Sequence, residues 1–287
     1  MNAAKQIAQA NRHQARGEHA AAAECYLRAF ELGPADGRLL WEAGRLYLYF
    51  ANDPAKALRW FEAALPLLVD PIMARDTRYH LGLAHVFLED DERAQFRFEE
   101  VLADTPTHVQ ACIELGKLFT RAGDHARAKA QLMLAALHNN MRSTLPEMFP
   151  DGERGSAHAH ALAWMNLGRL GFVAGDDPVL GRAAVVHLIE DLDDTERVVA
   201  LANEARVAGK PDHAMDALDE LLARHPRNEQ GCDLWFAIAL DDLDQHDRVV
   251  EMARSIYEED PAWSARMVAE VLQRDPDHAA ARALHSG

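Results

Sequence analysis

The sequence predicts an all-α fold, an α-solenoid built from about seven antiparallel helix pairs. Three observations carry that prediction. Short signatures recur at a spacing of 34 residues: Leu81-Gly82 returns as Leu115-Gly116, Ala94 as Ala128, and Leu167-Gly168 as Leu201-Ala202. Such self-similarity marks stacked supersecondary units. Pro34, Pro106 and Pro226 each close a helical stretch twelve residues after a small alanine, Ala22, Ala94 and Ala214. No stretch shows sustained period-two alternation of β-branched residues, the pattern of a half-buried strand.

The elements follow in order from this frame. Repeat units are expected at 3–36, 37–71, 75–108 and 109–142, then at 161–194, 195–228 and 229–261, with 262–285 as a terminal helix and tail. A glycine on the first helix and an alanine on the second let two backbones approach. Leu81, Leu115, Phe98 and Leu132 then fill the space between units. Ala122-Gly123-Asp124, Ala174-Gly175-Asp176 and Ala208-Gly209-Lys210 are turn signals. Proline ends the second helix because it lacks an amide donor and restricts the residue before it. Three departures stand out. The turn Ala51-Asn52-Asp53-Pro54 is one residue longer than the template. The fifth unit carries Leu180 at its small position and His187 at a usual alanine position. The seventh carries Arg248 and Ser255 where alanine is usual, which leaves its register open.

This pattern resembles the tetratricopeptide repeat, whose signature runs W-x2-L-G-x2-Y, then A-x3-F, then P. Trp164-Met165-Asn166-Leu167-Gly168 and Ala43-Gly44 with Tyr47 match its first half; Ala94 with Phe98, Ala57 with Phe61 and Ala22 with Tyr26 match its second. The resemblance implies a right-handed superhelix whose first helices line a concave groove for a peptide or helix of another protein. The groove positions fall on Arg38, Trp41, Arg45 and Tyr49, then on Tyr79, His80, Leu83 and Phe87. They continue with Ile113, Lys117, Thr120 and Arg121, and with Met165, Asn166, Arg169 and Phe172. This is an apolar, aromatic strip with basic residues, the types that dominate interface hot spots. For Trp41, Tyr79 and Phe87 the alternative is plain packing between helices. One subgroup of the family grips a C-terminal carboxylate with a Lys/Asn clamp. Ile7 and Asn11 occupy its first positions here and Glu42 replaces a needed Asn, so that mode is not carried over.

The chain of 287 residues has 30 Lys+Arg against 46 Asp+Glu, a formal net charge of −16, with 49% hydrophobic residues. Collagen-like and wholly disordered classes are excluded. The charge is uneven: residues 176–260 hold 22 acidic and 8 basic residues, and the rest holds 24 and 22. A nucleic-acid partner is not expected, since phosphate binding needs clustered Lys/Arg. The acidic stretch reads as a solvated face or as a landing surface for a basic segment. Cys25, Cys112 and Cys232 are scattered and odd in number, which predicts reduced, buried thiols. The N-terminal segment lacks the apolar core of a signal peptide, and no run of 18 apolar residues occurs. A cytoplasmic protein without direct membrane insertion is expected, and the preference for Arg over Lys with abundant Ala is a bacterial, high-GC usage.

Gly116 and Gly168 lie 52 residues apart, 18 more than one period. The excess falls at 143–160, where prolines and glycines predict a loop. Its Leu145, Met148 and Phe149 are expected to contact the array. The domains are thus 1–142 (four repeats), the insertion 143–160, 161–261 (three repeats) and the tail 262–287. No phosphate-binding glycine loop, G-x-S-x-G elbow, C-x-x-C or H-E-x-x-H occurs. His158-Ala159-His160 beside Asp151 and Glu153 is too sparse a set for a metal centre. No metal and no cofactor are therefore expected. The reading is a non-catalytic scaffold, adaptor or chaperone. Self-association is the alternative, and an enzyme with its site in the insertion is a remoter one.

Overall fold

The computed structural model describes residues 2–137, 152–175, 177–257 and 260–286, and among these it is all-α, with no strand. The chain forms two compact units, Met1–Ala159 and His160–Gly287.

In unit one the helices pair as expected: α1 (Ala3–Ala15) with α2 (His19–Leu32), α3 (Gly37–Tyr49) with α4 (Pro54–Ala64), α5 (Pro71–Phe87) with α6 (Asp91–Asp104), and α7 (Val109–Arg121) with α8 (His125–Leu137). Aspartates start many of them. Asp36, Asp53, Asp70 and Asp90 accept the backbone N–H of Arg38, Lys56, Ile72 and Arg93, satisfying donors that no helical carbonyl can reach. Pro54 and Pro71 take the first helical turn, where no N–H is needed. Pro34 and Pro106 stand just past α2 and α6.

Within a pair, the tight turn needs one left-handed residue. Gly17 (φ 72°), Glu89 (φ 60°) and Gly123 (φ 75°) supply it. The N–H of Asp90 and of Asp124 closes back on the carbonyl five residues earlier, His85 and Phe119. At the α3–α4 turn the closure runs six residues, from Asp53 N–H to the Tyr47 carbonyl at 2.9 Å, with Asn52 left-handed. That is the extra residue read from the sequence.

Small residues set the spacing of the pairs. A Cβ added to Gly44, Gly82 or Gly116 would come within 2.8, 2.5 and 2.5 Å of Phe61, Phe98 and Leu132 respectively. Ala22, Ala57, Ala94 and Ala128 are fully buried between the same helices. Bulk on one helix thus fits a gap on the other.

The division between units falls within α9 (Gly152–Gly168). Residues 152–160 are therefore helical rather than part of a loop. Alternate alanines from Ala157 to Ala163 favour helix, and both glycines fall in the first turn, where their cost is small. Leu145, Met148 and Phe149 lie outside the described residues.

Unit two continues with a π-helical turn (Arg169–Ala174), α10 (Pro178–Glu190), α11 (Thr195–Val207), α12 (Pro211–Arg224), α13 (Glu229–Ala237), a second π turn (Ile238–Asp242), α14 (His246–Ile256), α15 (Pro261–Arg274) and α16 (Ala279–Ser286). The segment expected as a single terminal helix is thus two, α15 and α16, separated around Pro276; His278 Nδ1 accepts the Ala281 N–H at the start of the second.

Both π turns fall in the irregular fifth and seventh repeats. Each accommodates one extra residue, and each slides the following helix by one position. The small position expected at Leu180 is taken by Gly181, which lies against the Phe172 ring. Ala184 then faces Gly168, and Leu201 from α11 fills the gap that Phe98 and Leu132 fill in unit one. In the seventh repeat Val249, one residue past Arg248, is the fully buried one.

Candidate functional site

The face presented by α3, α5 and α7 carries the expected groove residues of unit one. Its centre is an aromatic box around His80. The rings of Trp41, Tyr49, Phe61 and Tyr79 stand 5.4 to 5.8 Å from the imidazole. Tyr79 also packs on Phe98 and on His108, at 5.7 and 5.3 Å. His80 is fully buried, and its Nδ1–H donates to the Asp76 carbonyl at 2.6 Å. That fixes the tautomer and leaves Nε2 an acceptor. Among the described residues neither Nε2 nor the buried Trp41 Nε1–H finds a partner. Burial pushes His80 down to about 4. His108 is likewise held at about 4 by burial and by the Arg75 guanidinium, and its Nδ1 accepts the Ala111 N–H that starts α7. Both imidazoles are neutral at physiological pH.

Around this box the charges are already matched. Arg45 meets Glu42 at 3.0 Å, Arg75 meets Asp76 at 2.9 Å, and Lys117 meets Glu114 at 2.7 Å. Arg121, exposed at the end of α7, reaches Asp91 of α6 at 2.5 Å. Glu114 helps raise the phenols of both Tyr49 and Tyr79, secondary to burial. Side chains from three successive first helices therefore share one electrostatic neighbourhood. Arg38 and Phe87 lie exposed at opposite ends of their helices, Phe87 at 58%.

Unit two carries the remaining groove positions. Met165 and Phe172 are buried, and Asn166 Nδ2–H donates to the Leu162 carbonyl at 2.7 Å, so these three pack rather than project. Arg169 stays half-exposed and makes a two-pronged contact with Glu204 of α11, at 2.6 and 2.7 Å, which raises the guanidinium further. Trp164 stacks on His187 at 4.0 Å and donates its Nε1–H to His160 Nε2.

Asp76, Asp91, Glu114 and Glu204 were not singled out by sequence, and Glu42 was read only as a departure from the carboxylate clamp. The Glu42/Arg45 and Glu114/Lys117 pairs were readable as helix neighbours three apart. The Arg121 and Arg169 partners were not, since they sit 30 and 35 residues away. Asn11, at the clamp position, accepts a hydrogen bond from Tyr26. Cys25 and Cys112 are buried, but Cys232 is only half-buried. Among the described residues no cluster of His, Cys, Asp and Glu suits a metal, and no helix is long and apolar enough to cross a membrane.

Residues 7–68, the span of the first two helix pairs, match the family model of the tetratricopeptide repeat. Among curated proteins none matches. Of solved structures, a tetratricopeptide repeat protein from Parabacteroides merdae ATCC 43184 is similar, with 15% identity, 99% of this chain and 97% of that one covered, and a TM-score of 0.52. The APC/C hetero-tetramer Cut9–Hcn1 is similar with 16% identity and a TM-score of 0.52, over 83% of this chain and 42% of that one. This chain thus spans less than half the length of that relative. At such identities the likeness speaks for the fold alone. The family model is matched over the first two pairs, and the same antiparallel pairing of helices carries on through α5–α8 and α11–α12.

Proposed function

We propose that the α3–α5–α7 face of unit one binds a peptide or helical segment of another protein, and that the protein is a non-catalytic adaptor or chaperone. The convergence of Tyr49, Tyr79 and Glu114 from three successive first helices carries this reading. Aromatic rings with polar tips offer contact area at low entropic cost. The flanking Arg45 and Lys117 are held by carboxylates on their own helices. A partner carboxylate or carbonyl would compete with Glu42 or Glu114 for these cations, the displaced carboxylate being left to water. Phe87 and Arg38 would extend the contact at its edges.

The test is affinity capture with mass spectrometry, comparing the parent chain with Lys117→Glu/Arg121→Glu and with Phe87→Ala. Helicity is followed by circular dichroism. The double reversal should remove partners the parent retains, at unchanged helicity, and Phe87→Ala should weaken them. Recovery of the same partners in equal amount by the double reversal would exclude this face.

A further inference from the structure

The close packing of first and second helices gives way in one pair of unit two, α13 with α14. Phe236 stands 34 residues after Ala202, and Arg248 stands 34 after Ala214. A phenyl ring thus stands at one of the small positions that let the preceding pair close, and after the π turn Val249 rather than Arg248 is buried at the other. α13 has only nine residues before its π turn. α14 packs on that turn and on α15 rather than along α13.

Between these helices opens a cleft of about 680 Å³. Its buried lining is Leu222, Trp235 and Met267; its half-buried lining is Met252, Ile256 and Trp263. Methionines adapt to differently shaped apolar guests. Each indole already carries an arginine over its ring, Arg248 at 5.5 Å and Arg266 at 5.7 Å. Those faces are therefore taken, and the cleft offers itself to apolar side chains rather than to a bare ammonium. Exposed Glu229 and Asp260 stand among the lining residues, and Arg227 is the one cation among the described residues of that lining. The surrounding 176–260 stretch has 22 acidic residues against 8 basic.

We propose that this cleft is a second docking site, separate from the unit-one face. It takes an amphipathic segment of a partner protein, which inserts large apolar side chains among Trp235, Met252 and Trp263 and sets Lys or Arg against Glu229 and Asp260. An acidic segment would meet like charge, and a purely polar one would leave the cleft unfilled.

Calorimetric titration of the full chain with three helical peptides of equal length tests this: alternating Leu/Lys faces, Leu/Glu faces, and Ser/Lys. The Leu/Lys peptide should bind at least about tenfold tighter than either control, a difference of about 1.4 kcal/mol. Ser255→Phe, at an exposed position on the cleft, should weaken it about tenfold, and Lys117→Glu should leave it unchanged. On the unmodified chain, the peptide should slow maleimide alkylation of Cys232, which lines the cleft, about tenfold. Equal binding of Ser/Lys would reduce the region to a charged surface, and equal binding of Leu/Glu would remove the charge selection. Undiminished alkylation of Cys232 with bound peptide would place the contact elsewhere. A null effect of Lys117→Glu here leaves the unit-one reading to its own test.

Discussion

The two units use charge in different ways. In unit one most ion pairs are made within a helix, three residues apart: Arg45 with Glu42, Arg97 with Glu100, Lys117 with Glu114, Arg127 with Asp124. In unit two most of those among the described residues span about one repeat. Arg169 reaches Glu204, Arg182 reaches Asp216, Arg224 reaches Glu190, and Arg274 reaches Asp241. Lys210 Nζ likewise donates to the Gly175 carbonyl, 35 residues back. The acidity of 176–260 is thus only partly a free surface; much of it couples one repeat to the next, the interaction on which a solenoid depends. Unit one instead couples its repeats through buried rings around His80 and Tyr79.

The largest effect that would break this comparison is pH. His80 and His108 titrate near 4 in the fold and near 6.5 when unfolded. The unfolded chain therefore binds more protons in that window. Stability is fully present above about 6.5 and is lost as pH falls toward 4, by up to about 3 kcal/mol for each histidine. Hydrogen exchange should rise first in α5 and α7. A His80→Phe/His108→Asn variant, which keeps a ring and a helix cap, should flatten the profile; an unaltered profile would place the acid sensitivity elsewhere.

Next is Gly171→Ala in unit two. Its Cβ would meet the Gly181 amide nitrogen at 2.5 Å and the Asp177 carbonyl oxygen at 2.8 Å. Backbone cannot swing aside, so a loss of about 3 kcal/mol is expected by denaturant titration. Gly82→Ala in unit one meets only the Phe98 ring, and helix preference recovers about 1 kcal/mol, so it should lose less. Equal losses would deny that the π turn brings α10 unusually close.

Ala128→Leu comes third. The alanine is fully buried between α7 and α8. Overpacking there should cost about 1–3 kcal/mol, and an unchanged melting temperature would contradict the repeat register.

The smallest effect sharpens the contrast in charge. Arg182→Gln and Arg224→Gln each remove an exposed pair to the neighbouring repeat and should cost less than about 1 kcal/mol. Their signature is location: exchange should rise in α10 and α12 together, and high salt should erase the difference. Arg97→Gln in unit one should loosen α6 alone.

Much of this was legible in the sequence. Gly82 and Gly116 at one period, with Phe98 and Leu132 sixteen residues on, specify a helix pair whose bulk and gap match. Asn52 announced its longer turn. Of the candidate site, the aromatic positions were legible because first-helix residues project at a fixed phase. Met165, Asn166 and Phe172 share that phase yet are buried, because each first helix has neighbours on more than one side.

What the sequence by itself determined is the all-α fold, the period, the helix starts at Asp and Pro, and the stops at Pro34, Pro106 and Pro226. All of these are local: propensity, capping and the 34-residue phase act over a few turns. Only the tertiary structure decided that π turns at Arg169–Ala174 and Ile238–Asp242 absorb one residue each. They replace Leu180 with Gly181 at the close approach and turn Arg248 toward Asp219. A one-residue slip leaves local pattern almost unchanged, and its register is chosen by which side chains fill space between helices. The same holds for the ion pairs, since a guanidinium 34 residues from its carboxylate finds it only when the repeats stack.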